Sequence, residues 1–426
     1  MKIILVNKFW NEQYGTGVHL NEITRMLTAN GHEVIPFGVA HPDNKPTKYD
    51  KYFVPYRNLE KPRLSLQSLG DVFKMVYNSE ARRLFSKLLD DTQPDLIHVH
   101  TIHHHISPSI LIEARRRELP IVHTVHDYKL ICPSYHVPFR DGQVCQRCVG
   151  KNWLHVIGHR AHKNSLLATI AVTFESAVHA LTGVYSRSID RYIMPSNSIA
   201  HQHIDNGVDP KRVSVIPHTI DMKKWKPATN IGEGVLFAGR LAAERGLEHV
   251  LAAAQALPRH KFSVVGDGPE RATLEARIKM LNLSNIKLYG HVSASEMQKL
   301  FCSHRVLFFP TQMFEPFGLS ILEAMASAKP VVATRLGAIP ELVEHGKTGF
   351  TYDSNDAAQG ILHLRAVLEN RVLAQELGVA ARKASEEYRP EEYYRQLEQV
   401  YSDAMIKHVR RQAKEASSGL TVGATS

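Results

Sequence analysis

The chain has no long hydrophobic run. No segment approaches the roughly 18 unbroken apolar residues of a membrane span, and the best candidate, "LLATIAVTF", is stopped by Glu175. The start, "MKIILVNKFW", holds only a four-residue apolar run, which fits a buried strand and not a signal peptide. The expectation is a cytoplasmic protein, at most peripheral at the cytoplasmic face of a membrane. A basic stripe with aromatic support is also missing. The 52 Lys plus Arg against 42 Asp plus Glu leave a diffuse excess of +10. That excess suits an anionic ligand or membrane surface and gives no argument for nucleic acid as a partner. There is no Asp-x-Asp metal motif, and no internal repeat beyond a similarity of the two halves at the level of the fold.

What is present is a long chain of ordinary globular composition. Its 426 residues, 43% apolar and 22% charged, suffice for two domains with ample cores. Short apolar runs alternate with amphipathic segments. "KIILVN", "HEVIPF", "PDLIHVH", "PIVHTVHD" and "RYIMPS" form a first series of strands, with a helix from about Val18 to Ala29 after the first. "GVLFAGR", "KFSVVGDG", "NIKLYG", "RVLFFPT" and "PVVATR" form a second. Strands that alternate with helices predict parallel sheets, so the fold class is α/β with two Rossmann-like domains. The Pro-, Gly- and Lys-rich stretch 215–234 marks the boundary. The domains expected are 1–216 and 217–388. A helix over 389–412 with Tyr394, Leu397, Val400, Tyr401 and Met405 on one side should pack on the first domain, and a polar tail, 413–426, should be disordered.

The stretch "RVLFFPTQMFEPFGLSILEAMA" carries the sharpest chemistry. A strand ends near Pro310, a loop follows, and a helix starts near Leu319 or Ser320. Ligands of open α/β sheets sit beyond the carboxyl ends of strands, and a helix N-terminus there offers unpaired N–H groups to phosphate. Gly318 allows close backbone approach. Glu323, one turn in, is placed to accept both hydroxyls of a ribose, and Glu315 to touch the other end of the same ligand. Ser320-x-x-Glu323 is equally a capping box, which would serve only the helix.

The wider context favours the ligand. "EPFGLSILEAMASAKPVVATRLGAIPELVEHGKTGF" resembles the donor-site signature of the retaining glycosyltransferases of family 4, which have the GT-B fold: two Rossmann-like domains facing each other across a cleft, with the last helix crossing back to the first. "VLFAGRLAAERGLEHVLAA", "VVGDGPE", "IKLYGHVS" and "LFFPT" follow in the family's order, and "HEVIPF", "DLIHVHTIHHHISP" and "VHTVHDYKLICP" resemble its first half. The match runs over about residues 1–405.

The resemblance implies a metal-independent hexosyltransferase without a catalytic cofactor, which moves sugar with retention from a nucleoside-diphosphate sugar to a glycan or lipid-linked acceptor. The pathway would be cell-surface polysaccharide or lipopolysaccharide synthesis. Arg240 and Arg245 would clamp the diphosphate, with Arg245 where the family usually has Lys. Taken alone, both are ordinary surface charges. Glu315 would face the sugar and Glu323 hold the ribose, with the Phe317-Gly318-Leu319-Ser320 backbone beside the diphosphate. His291 joins the donor-binding set. Gly15 and Gly17 resemble the family's glycine loop, although any tight turn uses such a pair. His126 matches a His that contacts the transferred sugar, and Asp127 would orient its loop. Histidines of "HVHTIHHHISP" would line the cleft.

Cys132, Cys145 and Cys148 resemble three corners of a structural zinc site, with His159 or His162 as a fourth ligand; three reduced thiols in a lid loop are the alternative. Residues 51–90 carry eight Lys or Arg against four Asp or Glu, a basic face for anionic lipid or an acidic or lipid-linked acceptor, or simply for water. The rival functions are a nucleotide-sugar epimerase or phosphorylase of the same fold, or a protein that only binds nucleotide-sugar.

Overall fold

A computed structural model describes the chain except residues 13–14, 58–65, 136–138, 141–142, 145–153, 159–161, 163–164, 228–229 and 423–426. The chain divides into two compact units. One contains Met1–His136, Gln146–Ile216 and Tyr393–Ser426; the other contains Val137–Cys145 and Pro217–Glu392.

The strands in chain order are β1 (Lys2–Val6), β2 (Glu33–Phe37), β3 (Leu96–Val99), β4 (Ile121–Thr124), β5 (Phe139–Arg140), β6 (Gln143–Val144), β7 (Arg191–Met194) and β8 (Val213–Val215). There follow β9 (Val235–Ala238), β10 (Phe262–Val265), β11 (Ile286–Gly290), β12 (Val306–Phe309), β13 (Val331–Thr334) and β14 (Gly349–Tyr352). The first unit's sheet runs β2-β1-β3-β4-β7-β8 and the second's runs β11-β10-β9-β12-β13-β14. Every pair in both sheets is parallel. The short ribbon β5-β6 is antiparallel.

Central strands such as "LIHV", "VLFA" and "VLFF" are buried at every position. Helices cover both faces of a doubly wound sheet, so its strands read as unbroken apolar runs. Four strands escape the sequence reading: β8, β14 and the two of the ribbon. The first two are edge strands of three and four residues. Such pieces are too short to show a period.

The C-terminal helix, Pro390–Val422, extends past residue 412, where the sequence reading ended it. Of the expected tail, 423–426 lies outside the described residues. Tyr393, Leu397, Val400, Tyr401 and Ala404 pack with Ile3, Leu5, Leu96 and Val122 of the first sheet. Tyr394 and Met405, expected on the buried side, are only partly buried there. The Tyr401 hydroxyl meets His98 Nδ1 at 2.8 Å, and the Thr124 hydroxyl meets His98 Nε2 at 2.7 Å. The helix after β1 begins at Gly15, three residues before the Val18 expected, so both glycines of the predicted loop belong to its first turn.

Candidate active site

In the second sheet, strand order reverses between β9 and β12. Ligands of doubly wound sheets sit at such switch points, beyond the carboxyl ends of the strands. The loop after β9 carries Arg240 and Arg245. The loop after β12 carries Glu315 and leads into the helix Leu319–Ala326. The two loops are joined: Gln312 N donates to Glu244 O at 2.7 Å, and Arg245 Nη1 donates to Glu315 Oε2 at 2.6 Å.

The Arg245–Glu315 contact brings together a cation expected at the diphosphate and a carboxylate expected at the sugar. Glu315 is 8% exposed and held through its backbone as well. Ala338 N donates to Glu315 O at 2.9 Å. Gly337 has φ 63°, and a Cβ there would lie 2.3 Å from Glu315 O and 2.5 Å from Glu315 N. Only glycine fits both the backbone angle and the space. Nothing local in "RLGAIPE" signals this role, because the requirement comes from a residue 22 positions away in the chain.

Arg240 is exposed and, among the described residues, makes no side-chain hydrogen bond or ion pair. Its guanidinium is available to an anion without breaking an existing contact. Gly318 occupies the N-cap position at φ 109°, and no side chain caps the helix. Ser320 therefore falls in the first turn and not at the cap. This corrects the capping-box alternative: Ser320 and Glu323 are two positions out of register for it. The leading N–H groups of a helix have no intrahelical partner, and here no side chain replaces one.

Glu323 is half-buried. No side-chain hydrogen bond to it exists among the described residues, so it is an acceptor without a donor. Burial pushes its carboxyl up to about 7, against the pull of Lys224. A hydroxyl pair from a ligand would supply the missing donors. Phe317 is buried against His218 and Tyr388, with ring centroids 4.9 and 6.0 Å away, so only its backbone is placed to face a ligand. Leu319 is half-buried in the first turn. His291 is exposed, just past β11 and two strands from β9.

In the first unit, Gly17 is buried in the first helical turn, and a Cβ there would lie 1.9 Å from Asn11 O. That contact explains this glycine without a ligand. Gly15 is exposed at the start of the same helix. His126 follows β4 at its carboxyl end. Its Nε2 lies 2.9 Å from His100 Nδ1, the two rings stacked at 5.2 Å, with the His19 ring 5.6 Å away. Burial lowers His126 to about 4. Burial and neighbouring imidazoles lower His98 and His123 to about 3 and His100 well below its ordinary value. These groups are neutral at pH 7. Asp127 accepts from Lys129 N at 2.8 Å. Burial alone would raise its carboxyl, but His103 and that N–H hold it below the usual range. His98, His100, His103 and His105 are buried packing groups rather than an open lining.

Cys132 is buried, its Sγ 3.1 Å from Ser134 Oγ. Cys145, Cys148 and His159 lie outside the described residues. Among the described residues no group of three or more His, Cys, Asp or Glu is placed to hold a metal ion.

The chain has known relatives. The model for glycosyl transferases group 1 matches residues 221–384, and that for glycosyltransferase family 4 matches 14–224. The chain belongs to the family 4, group 1 glycosyltransferases, and its fold is of the GT-B class. Sulfoquinovosyl transferase SQD2 of Arabidopsis thaliana is 33% identical over 36% of this chain but only 30% of its own length. N-acetyl-alpha-D-glucosaminyl L-malate synthase of Bacillus anthracis is 25% identical over 92% of this chain and 94% of its own. Anabaena Alr3699/HepE, solved in complex with UDP-glucose, superposes with TM-score 0.67 at 17% identity, over 94% of this chain and 99% of that one. The protein is a glycosyltransferase.

Proposed function

We propose that the protein transfers a hexose from a nucleoside-diphosphate sugar to an acceptor hydroxyl, with retention at the anomeric carbon and without a divalent metal. The observation that carries this reading is the chemistry at the switch point of the second sheet. Among the described residues it combines an unpaired Arg240, an uncapped helix start at Gly318 and a half-buried Glu323 with no hydrogen-bond donor. An anion flanked by a diol satisfies all three, and a nucleoside diphosphate has that form.

In this reading the Glu323 carboxylate accepts the ribose hydroxyls. The N–H groups of Leu319 and Ser320, with Arg240 and Arg245, face the diphosphate. Breaking the bond between the anomeric carbon and the phosphate oxygen leaves one more negative charge on the nucleotide. Fixed guanidinium groups and N–H dipoles stabilise that charge as it develops. The acceptor hydroxyl attacks from the face the leaving group departs. Its proton passes to the departing phosphate oxygen around an oxocarbenium-like transition state. Glu315, oriented by Arg245 and by Gly337-Ala338, is the group nearest the sugar. His126, carried over from the family resemblance, would meet a sugar hydroxyl as a neutral imidazole.

The acceptor is a glycan or a lipid-linked hydroxyl compound, and cell-surface polysaccharide or lipopolysaccharide synthesis on the cytoplasmic side is the setting that fits. The UDP-glucose complex of the structural neighbour supports testing UDP-sugars first. The experiment is a screen of UDP-, GDP- and ADP-sugars for release of nucleoside diphosphate, with EDTA present and with and without saccharide and lipid-linked acceptors. Release that depends on an acceptor supports transfer. Epimerised donor with no release would assign an epimerase, and binding without turnover would assign a binding protein.

A further inference from the structure

The helix Leu166–Thr182 in the first unit has its polarity inverted. Its buried face carries Thr169, Thr173, Glu175 and His179. Glu175 accepts from Lys129 Nζ at 2.8 Å and lies 3.1 Å from His104 Nδ1, and His179 Nε2 contacts Val76 O at 2.9 Å. The opposite face turns Leu166, Leu167, Ile170, Phe174 and Leu181 to solvent, from 42% exposed at Leu166 to 83% at Leu181. From Leu167 the positions recur at steps of three, four and seven, and Leu166 lies four residues before Ile170, so they form one stripe. Phe73, on the helix Leu66–Val76, extends the stripe. It is 64% exposed, and its ring lies 6.5 Å from that of Phe174.

Ordinary surface helices put charge outward, and a contiguous exposed apolar stripe marks a contact with something else. The charges around it identify the partner. The two helices contain two carboxylates, Asp71 and Glu175. Glu175 is buried in its ion pair, and Asp71 faces Arg57 Nη1 at 3.3 Å. Lys74, beside Phe73, is exposed and unpaired among the described residues. The face is therefore apolar with net positive charge. No described helix is long and apolar enough to cross a membrane. A convex apolar stripe with a free cation fits the plane of an anionic lipid surface, into which its side chains insert part-way.

We propose that this face, the Leu166–Thr182 helix with Phe73 and Lys74, docks the protein on an anionic bilayer with the helix lying in the surface plane. The surface differs from the basic stretch 51–90 as a whole. In that stretch, the helix Ser79–Thr92 starts anew at the cap Asn78 and buries Phe85, Leu88 and Leu89. The proposal is independent of the donor chemistry.

The test is flotation of the full chain with phosphatidylcholine vesicles, with and without phosphatidylglycerol. Wild type should float with the anionic vesicles and far less with the neutral ones. Ile170→Ser with Phe174→Ser should lower the bound fraction at least about tenfold, on the scale of two lost apolar side chains. Lys74→Glu, which leaves the apolar stripe intact, should weaken the preference for anionic vesicles. Melting curves and light scattering on each variant accompany the flotation. Wild type that stays unbound on anionic vesicles overturns the proposal, as does a folded double variant that binds normally. A wild-type dimer that the double variant dissolves also overturns it, and would assign the face to a second copy of the chain.

Discussion

The two units build similar parallel sheets and furnish the carboxyl edges of those sheets in opposite ways. The second unit's edge is charged and under-satisfied. Among the described residues Arg240 is unpaired and Glu323 has no donor, and the helix at Leu319–Ala326 has no side-chain cap. The first unit's edge is built on buried, neutral imidazoles: His98 is tied to Tyr401 and Thr124, and His100 to His126, while His100 Nε2 and His123 Nδ1 are buried without a hydrogen-bond partner among the described residues. An unsatisfied polar group is expensive when it is buried, as the Glu323 carboxyl partly is, so a fold retains one where a ligand completes it. Neutral, mutually bonded imidazoles instead hold loops in place and offer uncharged hydrogen-bonding groups. The proposed placement of anion recognition in the second unit rests on this contrast.

Substitutions sharpen or break that contrast. Arg240→Ala should have the largest effect. Removing one transition-state donor of this kind costs about 2.7–4 kcal/mol, or roughly a hundred- to thousand-fold in kcat. Thermal stability should not change, because the side chain is exposed and unpaired. Turnover assays with a melting curve check both halves.

Next is Glu323→Gln, which should weaken nucleotide binding by about 1.5–3 kcal/mol, the scale for a hydrogen bond to a charged group. Its effect on stability should have the opposite sign. The folded carboxyl titrates near 7, above its unfolded value of about 4.3. The penalty for ionising it is absent below the unfolded value, grows between the two, and is complete above the folded one. The variant should therefore melt higher than wild type at pH 8 and about equally at pH 4. Equal melting at both pH values would remove the buried-carboxylate account.

Gly337→Ala should lower both stability and activity without touching ligand. The positive φ alone costs about 1–2 kcal/mol, and the clash with Glu315 adds to that. Calorimetry and kcat should fall together.

Acid tests the first unit. His98, His123 and His126 titrate well below an ordinary imidazole, at about 3, 3 and 4. Groups lowered in this way stabilise the fold fully above about 6.5 and lose that stabilisation as pH falls toward their folded values. Melting temperature should drop steadily from pH 7 to pH 5. A flat profile would mean that these rings are not buried and neutral.

Arg245→Lys should have the smallest effect, below about 1 kcal/mol, the usual scale of a partly exposed ion pair. One Nη reaches Glu315, and a lysine ammonium replaces a single donor more readily than a fork.

Much of this was legible in the sequence because burial on both sheet faces writes strands as plain apolar runs. "VLFA" and "VLFF" identify themselves, and the spacing of Glu315, Gly318 and Glu323 points to the same end of the same sheet. What escaped depends on the third dimension. Ser320-x-x-Glu323 reads as a cap, but the helix takes Gly318 as its N-cap and so starts two residues too early for it. Gly337 reads as a loop glycine until the Glu315 backbone is seen against it. "LLATIAVTF" reads only as an apolar run too short for a membrane span, because sequence order does not say which of its two faces turns inward. The basic stretch 51–90 reads as one face, but Asn78 divides its helical part into two helices.

The most direct measurement is calorimetric titration of UDP, GDP and ADP, in EDTA, into wild type, Arg240→Ala and Glu323→Gln. The account predicts that one of the nucleotides binds wild type without metal, and that each substitution weakens that binding while leaving the protein folded. Binding that requires a divalent metal, or affinity unchanged in both folded variants, would contradict it.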